Sequence, residues 1–191
     1  MAYRNVFFLC LVLAAGPALA AEPIKPVQPQ PDAASLADGL AVTYYFETFN
    51  SIDDLRDGMR RLKPHPGKPL PTLNYKVGEG PVLSSESSNF VGARITGLLQ
   101  LEAVGTYEFE VTSNDGVWVS FGGEMIYEDP NVHSDWTSDP IPVSIDASGW
   151  YPIEVLYFEK KGTSTLILRW KPPGASGFEV IPTERLKHPR T

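Results

Sequence analysis

The chain has 191 residues, 42% of them hydrophobic, and a formal net charge of −7. An acidic surface argues against nucleic acid and anionic lipid as partners, because both call for Lys and Arg to neutralise phosphate. Its single cysteine, Cys10, excludes an internal disulfide and a multi-thiolate metal site.

The first twenty residues read as an export signal. Arg4 gives a short positive start, and Val6 to Ala15 form an apolar run. Such a run is short of the roughly 20 residues a spanning helix needs. Ala18-Leu19-Ala20 supplies the small-x-small pattern of a cleavage site, expected between Ala20 and Ala21. Cleavage removes Cys10, and losing the charge of Arg4 takes −7 to −8. What remains, about 170 residues, suits one domain. No later stretch approaches membrane length. The expected location is secreted, periplasmic or cell-surface. Residues 21–38 hold Pro23, Pro26, Pro29 and Pro31 among small and polar residues, which predicts a semi-extended tether.

The folded domain is expected over residues 39–189. Leu40, Val42, Tyr44 and Phe46 alternate with Ala41, Thr43, Tyr45 and Glu47, the period of a strand. Ser51 can cap a short helix, with Asp53 and Asp54 at its positive end and Leu55, Met59 and Leu62 on its apolar face. Pro64 ends it, and Pro and Gly make residues 64–80 an ordered loop. Strands follow at Val91–Leu101, Gly105–Thr112, Val117–Phe121 and Glu124–Tyr127, the last two joined by Gly122-Gly123. Three more are expected at Ile141–Ile145, over Tyr151 to Tyr157, and at Thr165–Trp170. The fold class is therefore all-β, an antiparallel sandwich or barrel with one short helix.

The ordered motifs of this half resemble a known module. They begin with Gly-Leu-x-Val-x-Tyr-Tyr at Gly39–Tyr45, Phe90-Val91 and Gly97. Gly105-Thr-Tyr-x-Phe109, Ser113-Asn-Asp-Gly-Val117, Gly122-Gly123, Ile126, Asp129 and Trp136 follow. Gly149-Trp-Tyr-Pro-Ile153, Tyr157-Phe-Glu159, Leu166-x-Leu-x-Trp170 and Ile181-Pro182 complete the set. The sequence is similar to the PA14 domain, shared by yeast flocculins, some glycosidases and bacterial adhesins. That resemblance implies a β-sandwich or barrel and, often, carbohydrate binding. In lectin-like members two adjacent aspartates joined by a cis peptide hold a calcium ion, and the ion holds sugar hydroxyls. The matching pair is Asn114-Asp115, where an amide replaces one carboxylate; calcium held by Asn114 and Asp115 is thus an implied cofactor. The flocculins elaborate a second ion loop, whereas Phe158–Gly162 here reads as a plain turn.

Two stretches are candidate ligand loops. Ser113–Gly116 either binds a ligand or simply makes a turn, since Asn, Asp and Gly favour turns on their own. Glu128–Trp136 gathers acids, amides and an indole, the groups that bond sugar hydroxyls and stack on a sugar face. The ligand-binding residues expected are Asn114, Asp115, Asn131, Asp135 and Trp136, with Trp136 alternatively a core anchor. The partner is a glycan or, alternatively, an envelope protein with no sugar involved. No catalytic residue is expected: His133-Ser134-Asp135 are consecutive and cannot converge as a triad. Glu108 and Glu110 read as the outer face of a strand rather than a glycosidase pair.

Overall fold

The computed structural model describes residues 22–190, so the export signal and its cleavage site lie outside the described residues. In chain order the elements begin with β1 (Leu36–Asp38), β2 (Ala41–Phe46), α1 (Ile52–Arg61), β3 (His65–Pro66) and β4 (Asn74–Gly78). Next come β5 (Val91–Leu101), β6 (Gly105–Asn114), β7 (Val117–Phe121), β8 (Glu124–Asp129) and β9 (Trp136–Thr137). The series ends with β10 (Ile141–Ile145), β11 (Gly149–Glu159), β12 (Ser164–Lys171), β13 (Glu179–Val180) and β14 (Leu186–Pro189).

These strands form two sheets, and every pairing between them is antiparallel. One follows the order β1-β14-β5-β11-β7-β8, with β2 also on β5 and β3 on β2. The other follows β10-β6-β12-β13, with β4 on β12 and β9 on β6. Period-two alternation sends one face of each strand inward. Tyr107, Phe109 and Val111 of β6 meet Val119 and Phe121 of β7 and Tyr151, Ile153 and Val155 of β11 in the main core. The expected all-β sandwich with one helix is the fold observed.

The sheet containing β11 is buried on both faces near its end. Val155, Leu156, Tyr157, Phe158 and Glu159 are all buried in succession. The reason is α1, whose Ile52 and Leu55 pack with Phe49 over Tyr45, Leu156 and Phe158 on the outer face. The Ser51 side chain accepts from Asp54 N at 3.1 Å and starts the helix as its residue type suggests. A Cβ at Gly92 of β5 would lie 2.3 Å from Leu55 and 2.7 Å from Phe49, so glycine there lets the helix close down.

Two stretches differ from expectation. The segment from Glu22 to Asp38 lies along the domain rather than standing off as a tether. Ile24 is buried and its N–H donates to Ser144 O at 3.0 Å; Val27 N–H donates to Trp150 O at 2.9 Å; Leu36 enters β1 against β14. Proline favours an extended backbone but does not prevent docking, and two apolar side chains give this segment something to bury. The proline-rich loop over 64–80 contains strands β3 and β4. Leu73, Tyr75 and Val77 alternate there, but the surrounding Pro and Gly obscure the period.

Candidate functional site

At one edge of the sandwich, strand register sets three polar residues in a row. Thr165 of β12 lies opposite Asn114 of β6 on one side and opposite Lys76 of β4 on the other. Beyond β6, Ser113 pairs with Trp136 of β9, which brings Asp135 back over the row. The result is an open pocket of about 390 Å3 lined by Lys76, Gly78, Asn114, Ser134, Asp135, Thr163 and Thr165.

Asp135 organises it. Its Oδ1 accepts from Asn114 Nδ2 at 3.1 Å and from Thr165 Oγ1 at 3.0 Å, and Lys76 Nζ lies 3.1 Å from its Oδ2. Partial burial pushes the Asp135 carboxyl up, but the hydrogen bonds from Asn114, Lys76 and Thr165 outweigh it and hold the group below its usual range. Asn114 spends its other N–H on Thr163 Oγ1 at 3.0 Å. Both amide hydrogens are thereby committed, and its carbonyl oxygen is the group left for a ligand. Trp136 is 62% exposed, so the core-anchor alternative does not hold; it follows Asp135 in the chain but does not itself line the pocket.

Asp115 plays a different part. It is 4% exposed and does not line the pocket. Its Oδ1 accepts from His133 N at 3.2 Å and its Oδ2 from Lys160 N at 2.8 Å. The carboxylate therefore fastens Ser113–Gly116 to the loop before β9 and to the turn after β11. Backbone contacts add to this: Asp115 N donates to Phe158 O at 3.2 Å, and Tyr157 Oη donates to Asn114 O at 2.5 Å. A Cβ on Gly116 would meet the Phe158 ring at 2.5 Å and Pro130 O at 2.9 Å, so only glycine lets these loops close. The Asn114–Asp115 peptide is cis. Burial raises the Asp115 carboxyl above its usual value, against the pull of the Lys160 and His133 N–H groups.

Glu159 lies behind Asp115. It is wholly buried, and neither carboxyl oxygen has a hydrogen-bond partner among the described residues. Burial, then the nearby Asp115 charge, pushes it up to about 7. The adjacent Phe90 N–H opposes this weakly, being committed to Lys160 O at 3.2 Å.

Of the five residues expected to bind ligand, the fold brings Asn114, Asp135 and Trp136 to one edge and sets Asp115 beneath them. Asn131 stands apart: its backbone bridges Ser51 at the start of α1, and it does not line the pocket. Lys76, Thr163 and Thr165 escaped sequence reasoning. Lys76 was hidden in a supposed loop, Thr165 read as an ordinary strand residue, and Thr163 fell between a turn and that strand. Only the pairing of β12 with both β4 and β6 makes them neighbours.

The residues do not fit the calcium site that the resemblance implies. Calcium takes about six to eight oxygens, several from carboxylates. Here each oxygen of Asp115 and Asp135 already accepts from, or pairs with, a protein donor, and one of those donors is an ammonium. A divalent ion placed beside Asn114 and Asp135 would face the Lys76 charge. Among the described residues, no cluster of three or more His, Cys, Asp or Glu is arranged to hold a metal. No helix among them is long and apolar enough to cross a membrane.

One family's sequence model, described as the PA14 domain, matches residues 36–184. No curated protein matches the chain. Several solved structures share the fold. The PA14 domain of MpAFP antifreeze protein superposes with a TM-score of 0.69 at 21% identity, covering 85% of this chain and 96% of that one. The PA14 sugar-binding domain from an RTX adhesin gives 0.63 at 15%, covering 80% and 99%. The epithelial adhesin 9 A domain from Candida glabrata, in complex with Galβ1-4GlcNAc, gives 0.68 at 12%, covering 88% and 97%. Identities this low show likeness of fold alone.

Proposed function

Since this chain belongs to the PA14 domain family, we propose that it is an exported, non-catalytic carbohydrate-binding module. The observation that carries this reading is the edge pocket over Lys76, Asn114, Asp135, Thr163 and Thr165; the exposed Trp136 follows Asp135 in the chain, outside the pocket lining. A sugar presents hydroxyls on its rim and C–H bonds on its face. The pocket offers hydrogen-bonding groups for the former and the indole a stacking surface for the latter. Two relatives in fold support the class: one is described as a sugar-binding domain, and another is a complex with a disaccharide.

In this reading Asn114, Asp135 and Trp136 contact the ligand, and Asp115 positions them by fastening the loops. Export rests on the signal-like Met1–Ala20. N-terminal sequencing of the protein recovered from outside the cytoplasm is expected to begin at Ala21. The binding claim is tested on a glycan array with the wild type and Trp136→Ala. Wild-type protein is expected to retain a discrete set of glycans, and Trp136→Ala to lose most of that signal while melting at the same temperature. A blank array, or a variant that binds as well as wild type, would refute it.

A further inference from the structure

The pocket contains a fixed cation of its own. Lys76 Nζ sits 3.1 Å from Asp135 Oδ2, at the position in the row opposite Thr165, and the lysine side chain is 73% exposed. An ammonium has three N–H donors, and Asp135 occupies one. The side chain is otherwise open to solvent, so the others can meet a ligand.

The remaining groups show which ligand atoms suit this cation. Asp135 has no oxygen without a donor. Asn114 has spent both its N–H groups. Thr163 accepts from Asn114, so its own O–H is free to donate outward. Ser134 adds a second hydroxyl to the lining. The uncommitted donors are the Lys76 N–H groups and the Thr163 and Ser134 O–H groups, and Lys76 is the one that carries a charge. A neutral sugar can use the hydroxyls and the Asn114 carbonyl, but only an anionic acceptor takes full advantage of the Lys76 charge. Hydrogen bonds from a charged donor to a charged acceptor are also the strong ones.

Taking the carbohydrate reading above as its premise, we infer that Lys76 is the recognition cation of this pocket, and that it binds a uronate-bearing saccharide without a metal ion. The sugar carboxylate takes the free Lys76 N–H groups and a neighbouring hydroxyl. Lys76 is a specificity-determining residue, and the Asp135 pairing holds its ammonium in place.

The test is calorimetric titration of the full mature chain with D-galacturonate and D-galactose oligosaccharides, each in calcium and in EDTA. The uronate series is expected to bind about tenfold more tightly than the neutral one, the scale of one charged hydrogen bond. Its affinity is expected to be equal in calcium and in EDTA. Lys76→Met should lose this preference and Lys76→Arg should keep it; both change an exposed side chain, and equal melting temperatures would show that the fold is intact. Binding that vanishes in EDTA, neutral oligosaccharides that bind as tightly, or a Lys76→Met variant with its preference unchanged would each overturn the inference while leaving a carbohydrate module standing. Heat from neither series, together with a blank glycan array, would sink both.

Discussion

Asp115 and Glu159 are two buried acids with opposite circumstances. Asp115 has a backbone N–H on each oxygen, whereas Glu159 has no partner on either among the described residues. Truncating Asp115 leaves the half-buried N–H groups of His133 and Lys160 unpaired. Asp115→Ala is therefore expected to lower unfolding stability by about 2 kcal/mol in urea titrations. Glu159 sets a pH dependence. Its folded-state value, about 7, lies above the ordinary 4.5, so the folded protein holds this proton more tightly than the unfolded chain. That contribution is fully present below 4.5 and is lost as pH rises through about 7. Stability is accordingly expected to fall across that window, and Glu159→Gln to flatten most of the slope. A slope of the opposite sign, or one identical in the variant, would contradict this account of Glu159. At this scale the sequence marked Asp115 as important through its Ser-Asn-Asp-Gly setting. It could not show whether the carboxylate faces a ligand or the protein, because the donors come from residues 133 and 160.

Helix α1 and strand β4 show which elements were legible. The cap Ser51, the acids Asp53 and Asp54 and the apolar face through Leu55 are local signals, and the helix forms where they place it. Leu55 is fully buried against Phe49 and Phe158 in the outer cluster. Leu55→Ala is expected to cost roughly 2–5 kcal/mol by denaturant unfolding, the range for such deletions. A cost below about 1 kcal/mol would mean that the helix is peripheral to the fold. The strand β4 was missed because its alternation is short and lies among prolines and glycines. What stabilises it is its register with β12, whose paired residues lie 86 to 93 positions later in the chain. With β4 went Lys76, so the main charge of the pocket was invisible until the sheet was assembled.

For the whole molecule, the sandwich and its ordered motifs were readable because period-two alternation and turn glycines are written locally. The pocket was only half readable. Asn114, Asp135 and Trp136 stood out by residue type, but their companions Lys76, Thr163 and Thr165 belong to it through cross-strand pairing alone. The N-terminal segment was misjudged on composition: Ile24 docks beside Gly122 and hydrogen-bonds Ser144. Removing residues 22–30 is expected to destabilise the domain by about 1–3 kcal/mol, the scale of exposing one large apolar side chain and its backbone bonds. An unchanged melting temperature would restore the view of this segment as a free tether.

The central claim is that the edge pocket binds sugar, and its most direct test is an NMR titration of labelled protein with a glycan retained on the array. Amide shifts are expected to concentrate at Lys76, Asn114, Ser134, Asp135, Thr163 and Thr165, with the Trp136 indole N–H moving as well. Shifts clustered elsewhere, for instance around Tyr44, Phe46 and His65, would contradict it.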